Sequence, residues 1–176
     1  TVNEKSGKKE ITISAVRLYY FLQLNGFRTL RDINAANTRY IQVTNNVVKQ
    51  IKAKDVRRFV REWSEERCLN ENVRNLIVNS MKFSETSLEN LKEVELDFSN
   101  FTHNTQLFFF PNNNVEVTPK EIIVHQRGDT AFNHYVWEEN VLKHNFKPLP
   151  DMFKLTCLDK ENNLYDIDVL DCKSSP

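Results

Sequence analysis

The sequence predicts an α+β fold with a helix-rich first part and a strand-rich, antiparallel second part. Apolar residues recur at helical spacing in several segments before residue 94, and the period then shortens toward the two-residue alternation of strands. A hydrophobic share of 40% and 12 phenylalanines supply enough apolar surface for a packed core. With 176 residues, the chain forms one domain or two small ones. Helices that precede a run of strands are typical of the α+β class.

The first part is predicted to be a helix, a β-hairpin and a second helix, after a flexible polar leader at residues 1–10. Ser14 is a suitable N-cap for the apolar segment AVRLYYFLQL, and Asn-Gly at 25–26 marks its end. The segment TRYIQVTNNVVKQI predicts a hairpin. Its Asn-Asn pair at 45–46 tolerates the positive φ angles that a tight turn requires.

The segment KAKDVRRFVREW, residues 52–63, predicts an amphipathic helix with one strongly basic face. At about 100° per residue, an apolar stripe and a group of cations fall on opposite sides. The stripe consists of Val56, Phe59, Val60 and Trp63, and the basic face of Lys54, Arg57, Arg58 and Arg61. Only Glu65 falls within the basic arc, although solvated helix faces usually mix both signs of charge. A charge run most often means a solvated face, and contacts with phosphates or with a protein are the alternatives.

The chain after the second helix is predicted to form short helices and then short strands. Asn70 is placed to cap ENVRNLIVNSM, and Ser84 or Ser87 to cap a further short helix. TQLFFF, NVEVT and EIIVHQ predict strands, and KLTCL with LYDIDVL predicts a closing hairpin. The domain organisation expected from these segments is a leader at 1–10, a helix-rich subdomain at 11–93 and a strand-rich subdomain at 94–176.

The aromatic run TQLFFFP, residues 105–111, has two interpretations. Consecutive aromatic side chains can form a platform on which single-stranded bases stack. In a strand, however, Phe108 and Phe110 point to one side and Phe109 to the other, which favours core packing on both faces. Trp137 is likewise interpreted as an anchor for packed strands.

No segment matches a catalytic or metal-binding motif. The chain has 3 glycines, too few for a Gly-rich phosphate loop, and its 4 histidines are too scattered for a zinc signature. GxSxG is absent, and Cys157 lies inside an apolar strand pattern, where we expect inert packing. Glu116 and Lys120 are four residues apart, which on a strand is too far for one metal-nuclease site. We therefore expect no catalytic residue, no metal and no cofactor.

Charge and cysteine content restrict the partners and the compartment. The formal net charge is +0, so any binding of nucleic acid must come from local basic patches. The 3 cysteines lack CxxC spacing, as is typical of reduced thiols in an intracellular protein. No apolar run approaches the ~18 residues of a membrane helix, and no signal peptide is recognisable. We expect a cytoplasmic protein without a membrane partner.

Five segments in residues 11–150 carry a resemblance to a known family. They are RLYYFLQLNGFR, YIQVTNNVVKQIKAKDVRRFVREW, ELDFSNF, LFFFPNNNVEVTPKEI and YVWEENVLKHNF. Together they resemble the region that precedes the motor domain in primase-helicase-like proteins of bacterial mobile elements and phages. The motors of those proteins are similar to the poxvirus-type superfamily 3 helicases. The resemblance therefore implies a role in DNA replication and a helicase motor downstream in the same chain.

Within such a protein, this segment is expected to be an accessory domain and not an enzyme. It has no Walker A lysine, no paired acidic Walker B strand and no arginine finger, so no ATP hydrolysis is expected of it. The residues expected to contact DNA phosphates are Lys54, Arg57, Arg58 and Arg61, with Arg28, Arg31 and Arg39 as secondary candidates. The alternative is a protein-interaction or oligomerisation module that assembles the motor, as a homo-oligomer, without contacting DNA.

Overall fold

A computed structural model of the chain describes residues 12–31, 39–148, 153–159, 161 and 164–169. The predicted leader, residues 1–10, lies outside the described residues. The helices are α1 (Ala15–Leu24), α2 (Ala53–Glu66), α3 (Glu71–Asn79) and α4 (Glu85–Leu88), with 3₁₀ turns at Met81–Phe83 and Glu138–Asn140. The strands are β1 (Phe27–Leu30), β2 (Arg39–Thr44), β3 (Val47–Gln50), β4 (Glu93–Val94), β5 (Gln106–Phe109), β6 (Asn113–Val117), β7 (Ile122–Gln126), β8 (Val136–Trp137), β9 (Phe153–Asp159) and β10 (Leu164–Val169). The predicted α+β class, with a helical first part and a strand-rich second part, is confirmed.

Helix α1 begins and ends where the sequence predicts. Ser14 occupies the N-cap position, but its hydroxyl accepts no capping hydrogen bond. At the other end the Gly26 N–H donates to the carbonyl of Gln23 at 3.1 Å. Gly26 has φ +82°, and a Cβ there would lie 2.1 Å from the carbonyl oxygen of Val43. Only glycine fits this position, because the positive φ and the neighbouring strand both exclude a side chain.

The predicted hairpin forms the middle of a five-stranded sheet with the order β4-β1-β2-β3-β8. Its turn residues Asn45 and Asn46 have φ angles of 49° and 69°, the conformation expected of a tight hairpin turn. Strands β1, β2 and β3 pair in antiparallel fashion, whereas β4 and β8 add to the two edges in parallel. The division predicted between residues 93 and 94 falls within β4, so strands on both sides of it share this sheet.

The two faces of the five-stranded sheet pack against different parts of the chain. On one face Phe27 joins the largest hydrophobic cluster, which contains residues of all four helices. On the other face Leu30, Ile41 and Val48 form a second cluster, against which Phe98, Tyr135 and Trp137 pack. The interpretation of Trp137 as an anchor for packed strands is thereby confirmed.

Strands β5, β6 and β7 form a separate antiparallel sheet, as the strand predictions for this region require. One face of it packs inward, where Leu107 and Phe109 are 5% and 4% exposed in a cluster with Phe132 and Val136. On the other face Phe108 is 40% exposed. Core packing on both faces was therefore correct for Phe109 and wrong for Phe108, although Val115, which pairs with Phe108 on the same face, is 3% exposed.

The chain divides into two compact units, residues 1–144 and residues 145–176. Within the second unit, β9 and β10 form the predicted closing hairpin. Cys157 is exposed on β9, so the expectation that it is packed was wrong. None of the helices in the described part of the chain has the length and apolarity needed to span a lipid bilayer.

Candidate nucleic-acid interface

The apolar stripe of α2 fixes the orientation of the helix on the fold. Val56 and Val60 are 0% and 4% exposed, and both belong to the largest cluster. Phe59 packs on Phe27 with ring centroids 4.9 Å apart, and Trp63 packs edge-on against Phe21 at 4.8 Å. A helix anchored by two aliphatic and two aromatic side chains cannot rotate without exposing them. The predicted stripe is thus confirmed, and the opposite face is held toward solvent.

The N-terminal turn of α2 is organised by one carboxylate, that of Asp55. Its Oδ2 accepts a hydrogen bond of 2.9 Å from the backbone N–H of Lys52, which caps the helix. Its Oδ1 lies 3.0 Å from Nη2 of Arg58. An acidic group in the first turn also interacts favourably with the helix dipole. Asp55 therefore has structural reasons to lie within an otherwise basic surface.

All four cations of the predicted basic face line one groove between α2 and α3, of about 340 Å³. Its lining residues are Lys54, Asp55, Arg57, Arg58, Arg61, Ile77 and Val78. Arg57 reaches across the groove, since its Nη2 donates to the carbonyl oxygen of Ser80, just after α3, at 3.5 Å. Four cations and a single carboxylate thus converge on one surface, which we call the α2–α3 groove.

Two of these cations form ion pairs, and in each pair the arginine side chain is more than half exposed. Arg58 is 60% and Arg61 52% exposed at the side chain, and Arg61 Nε lies 3.7 Å from Glu65 Oε1. Lys54 forms no ion pair with any residue that the structure describes. Exposed pairs of this kind contribute only ~0–1 kcal/mol. An incoming anion can therefore exchange with these carboxylates at little free-energy cost.

The three secondary candidates lie outside the α2–α3 groove. Arg28 donates from Nη1 to the carbonyls of Gln23 and Phe27, at 2.5 and 2.7 Å, and so caps the C-terminus of α1. Burial lowers the pKa of the Arg28 guanidinium from its ordinary value. Arg31 lies 3.6 Å from Glu93. Arg39 is the exposed first residue of β2. The structure thus brings together the four main candidates without these three.

Residues of α3 that the sequence did not single out complete the groove. Ile77 belongs to the core, and Val78 beside it is 50% exposed. Helical periodicity predicts which side of α2 is basic, but it does not tell which helix lies beside that side.

Two further groups of ionisable side chains lie outside the α2–α3 groove, and one of them is centred on β6 and β7. His125 Nε2 is 3.1 Å from Glu116 Oε2, and its Nδ1 is 3.8 Å from Asp129 Oδ2. His134 Nδ1 lies 3.3 Å from Asp97, and the Ser99 backbone N–H donates to Asp97, which lowers the pKa of that carboxyl. Among the described residues, no three histidine, cysteine or carboxylate side chains are arranged to hold a metal ion. These contacts tie strands and loops together.

No protein-family model matches this chain, and no curated protein sequence is significantly similar to it. The α2–α3 groove therefore supplies the main physical basis for a functional proposal. It offers charge, exposure and a fixed scaffold, but no nucleophile or general base positioned for a reaction. A cluster of positive side chains on one surface attracts anions.

Proposed function

We propose that this chain is a non-catalytic accessory domain that binds DNA phosphates through the basic face of α2. The parent molecule is proposed to be a mobile-element replication protein of the primase-helicase type. The observation that carries the DNA contact is the convergence of Lys54, Arg57, Arg58 and Arg61 on one groove lined by a single carboxylate. In a chain with no net charge, such a cluster concentrates positive potential at one place.

The spacing of the cations suits a nucleic-acid backbone. Lys54 and Arg61 are seven residues apart, which corresponds to a rise of ~10 Å along a helix. Phosphates of one DNA strand follow one another at ~3.4 Å along the duplex axis, so this length spans about three intervals and therefore about four phosphates. Contacts of this type supply affinity and register without reading the base sequence.

Salt dependence of DNA binding tests the proposal. Anisotropy of labelled single- and double-stranded DNA is expected to show affinity that falls with salt at a log–log slope of about −3 to −4, as four phosphate contacts require. Replacing Arg57 and Arg61 together by glutamate is expected to abolish binding, since two attractive contacts become repulsive. Circular dichroism checks that the variant is folded, because both side chains are exposed.

The matched control is the double variant Arg17→Glu with Lys143→Glu. Both positions are exposed and outside the α2–α3 groove, and the change of net charge is the same. We expect the control to bind DNA nearly as well as the unmodified chain. Equal losses in both double variants would mean that net charge alone governs binding, and the groove would not be the site.

A protein-interaction or oligomerisation surface is the second candidate function. It is favoured by apolar side chains beside the cations, since Val78 is 50% and Met81 76% exposed. Phosphates do not use apolar surface, whereas a protein partner with acidic and apolar side chains does. This candidate predicts a mass that rises with concentration in light scattering and no binding of DNA at low salt.

A further inference from the structure

A second cavity, distinct from the α2–α3 groove, opens between β5 and the chain segments that include β8. It encloses about 280 Å³. Its lining includes the aromatic residues Phe98, Tyr135 and Trp137 and the amide residues Asn100, Gln106 and Asn140. None of its lining residues carries a formal charge, in contrast to the basic groove. We call it the aromatic–amide cleft.

The aromatic wall of this cleft is rigid. The rings of Phe98 and Trp137 stack at 4.9 Å between centroids, with only 6° between their planes. Both rest on the cluster that contains Leu30 and Val48, and Trp137 pairs with Val48 through the β3–β8 ladder. Both are only partly buried, so part of this stacked pair is open to the cleft. A fixed ring stack of this kind can be extended by one further planar ring.

The polar groups of the cleft are amides that can both donate and accept. Gln106 Nε2 donates to the carbonyls of Asn100 and Leu107 at 3.1 and 3.2 Å, which leaves its Oε1 as an acceptor. The side-chain amides of Asn100 and Asn140 are exposed and make no hydrogen bond with any described residue. Amides recognise donor and acceptor patterns without a charge.

We propose that the aromatic–amide cleft binds one unstacked base of a single-stranded nucleic acid. A base is planar, neutral and bordered by donors and acceptors, which matches a stacked aromatic wall beside amides. The volume of about 280 Å³ is just below the ~300–1,000 Å³ of most ligand pockets, and so suits a single ring with its sugar. A phosphate finds no cation among the lining residues.

The cleft and the basic face lie within reach of one strand. Trp137 pairs with Val48, and Lys54 follows six residues later. At ~4.8 Å between strands and ~3.5 Å per residue, the Cα atoms of Trp137 and Lys54 are at most about 26 Å apart. About eight nucleotides cover this length at ~3.4 Å each. The use of both surfaces by one strand rests on the proposed function, whereas binding of a base in the cleft does not.

Tryptophan fluorescence tests the inference directly, because Trp137 is one of only 2 tryptophans in the chain. In the variant Trp63→Phe, all tryptophan fluorescence comes from Trp137. We expect a 12-nucleotide single strand of thymidines to quench this fluorescence. An abasic oligonucleotide of equal length and charge is expected to bind about tenfold more weakly and to quench little, because it lacks the stacking ring. Free thymidine at millimolar concentration is expected to quench as well.

Single and double variants distinguish binding in the aromatic–amide cleft from binding in the α2–α3 groove. Asn140→Ala removes an exposed amide without touching the core, and we expect it to weaken binding of the thymidine strand several-fold. Asn90→Ala, an exposed asparagine outside the cleft, is the matched control and is expected to change nothing. The Arg57→Glu, Arg61→Glu double variant is expected to weaken both oligonucleotides while quenching by free thymidine persists.

Three results would overturn base binding in the cleft. One is equal affinity and equal quenching for the abasic and the thymidine oligonucleotides. Another is absence of quenching by both the thymidine strand and free thymidine. The third is quenching by a neutral hexasaccharide such as maltohexaose without quenching by DNA, since sugars also use aromatic and amide groups. Loss of phosphate binding alone, with quenching by thymidine intact, would refute the proposed function and leave the cleft as a base site.

Discussion

The arginines of this protein fall into two groups: some guanidinium groups are partly buried and bond backbone carbonyls, and others lie on an open face. Arg28 donates to the carbonyls of Gln23 in α1 and Phe27 in β1, and Arg127 donates to the carbonyls of Phe110 and Asn45 at 2.8 and 3.1 Å. Burial lowers the pKa of both guanidinium groups. These arginines hold chain segments together. Those of α2 stay on an open face, where anions can approach.

Two buried asparagines differ in the hydrogen bonding of their side-chain amides. Asn46 has φ 69°, and its Nδ2 donates to the carbonyls of Phe132 and His134 at 2.7 and 3.2 Å. It thereby ties the β2–β3 turn to the segment before β8. Asn114 in β6 is 0% exposed, and neither atom of its amide has a hydrogen-bond partner among the residues that the structure describes. An unpaired buried amide opposes folding, whereas a paired one stabilises it.

Substitution of these two asparagines is therefore expected to change stability in opposite directions. Asn46→Ala should lower the free energy of unfolding by ~2–4 kcal/mol, because two carbonyls lose their donor and alanine resists a positive φ. Asn114→Leu should leave it unchanged or raise it by ~1–2 kcal/mol, because an unpaired polar group is replaced by an apolar one. Urea unfolding followed by circular dichroism measures both. A strong loss of stability in Asn114→Leu would contradict this expectation.

At the scale of elements, α1 is apolar on both its inner and its outer side. Leu18 and Leu22 are 7% and 0% exposed, whereas Val16, Tyr20 and Leu24 are 78%, 64% and 69% exposed. Helical periodicity predicts that α1 is a helix but does not identify its buried side, since apolar residues occur at both sets of positions. Packing against β1 and α2 decides which leucines contribute to the core.

Leucines two residues apart on α1 are expected to differ strongly in their contribution to stability. Leu22→Ala should lower the free energy of unfolding by ~2–5 kcal/mol, because it removes buried methyl groups and leaves a cavity. Leu24→Ala should change it by less than ~0.5 kcal/mol, since the side chain is already in water. Thermal and urea unfolding of the two variants give this comparison. Similar losses in both would show that the outer side of α1 is covered in solution.

For the molecule as a whole, residues 1–144 contain all three hydrophobic clusters of the described residues. They also contain the α2–α3 groove and the aromatic–amide cleft. A fragment that ends at His144 is therefore expected to fold by itself, with one cooperative unfolding transition. It should bind DNA as the full chain does. Calorimetry and anisotropy test this, and a fragment without a cooperative transition would show that residues 145–176 are needed for folding.

The amino-acid sequence was sufficient to predict those turns and helix faces that depend on local backbone preferences. Asn-Gly at 25–26 and Asn-Asn at 45–46 predict the turns, because these residues tolerate positive φ. The 3.6-residue period of α2 predicts its apolar stripe and its basic face together, because both follow from one helical rotation. The four cations of the α2–α3 groove were found in this way.

Long-range packing decided the strand pairing, the neighbours of each helix and the exposure of side chains. Local periodicity carries no information about which segments contact each other. The parallel pairing of β4 with β1 and of β8 with β3 depends on distant partners, and so do the position of α3 beside α2 and the exposure of Phe108. The sequence does not show that Arg28 donates to backbone carbonyls, because its partners are set by the fold. The aromatic–amide cleft joins residues about 40 positions apart, so only the folded chain creates it.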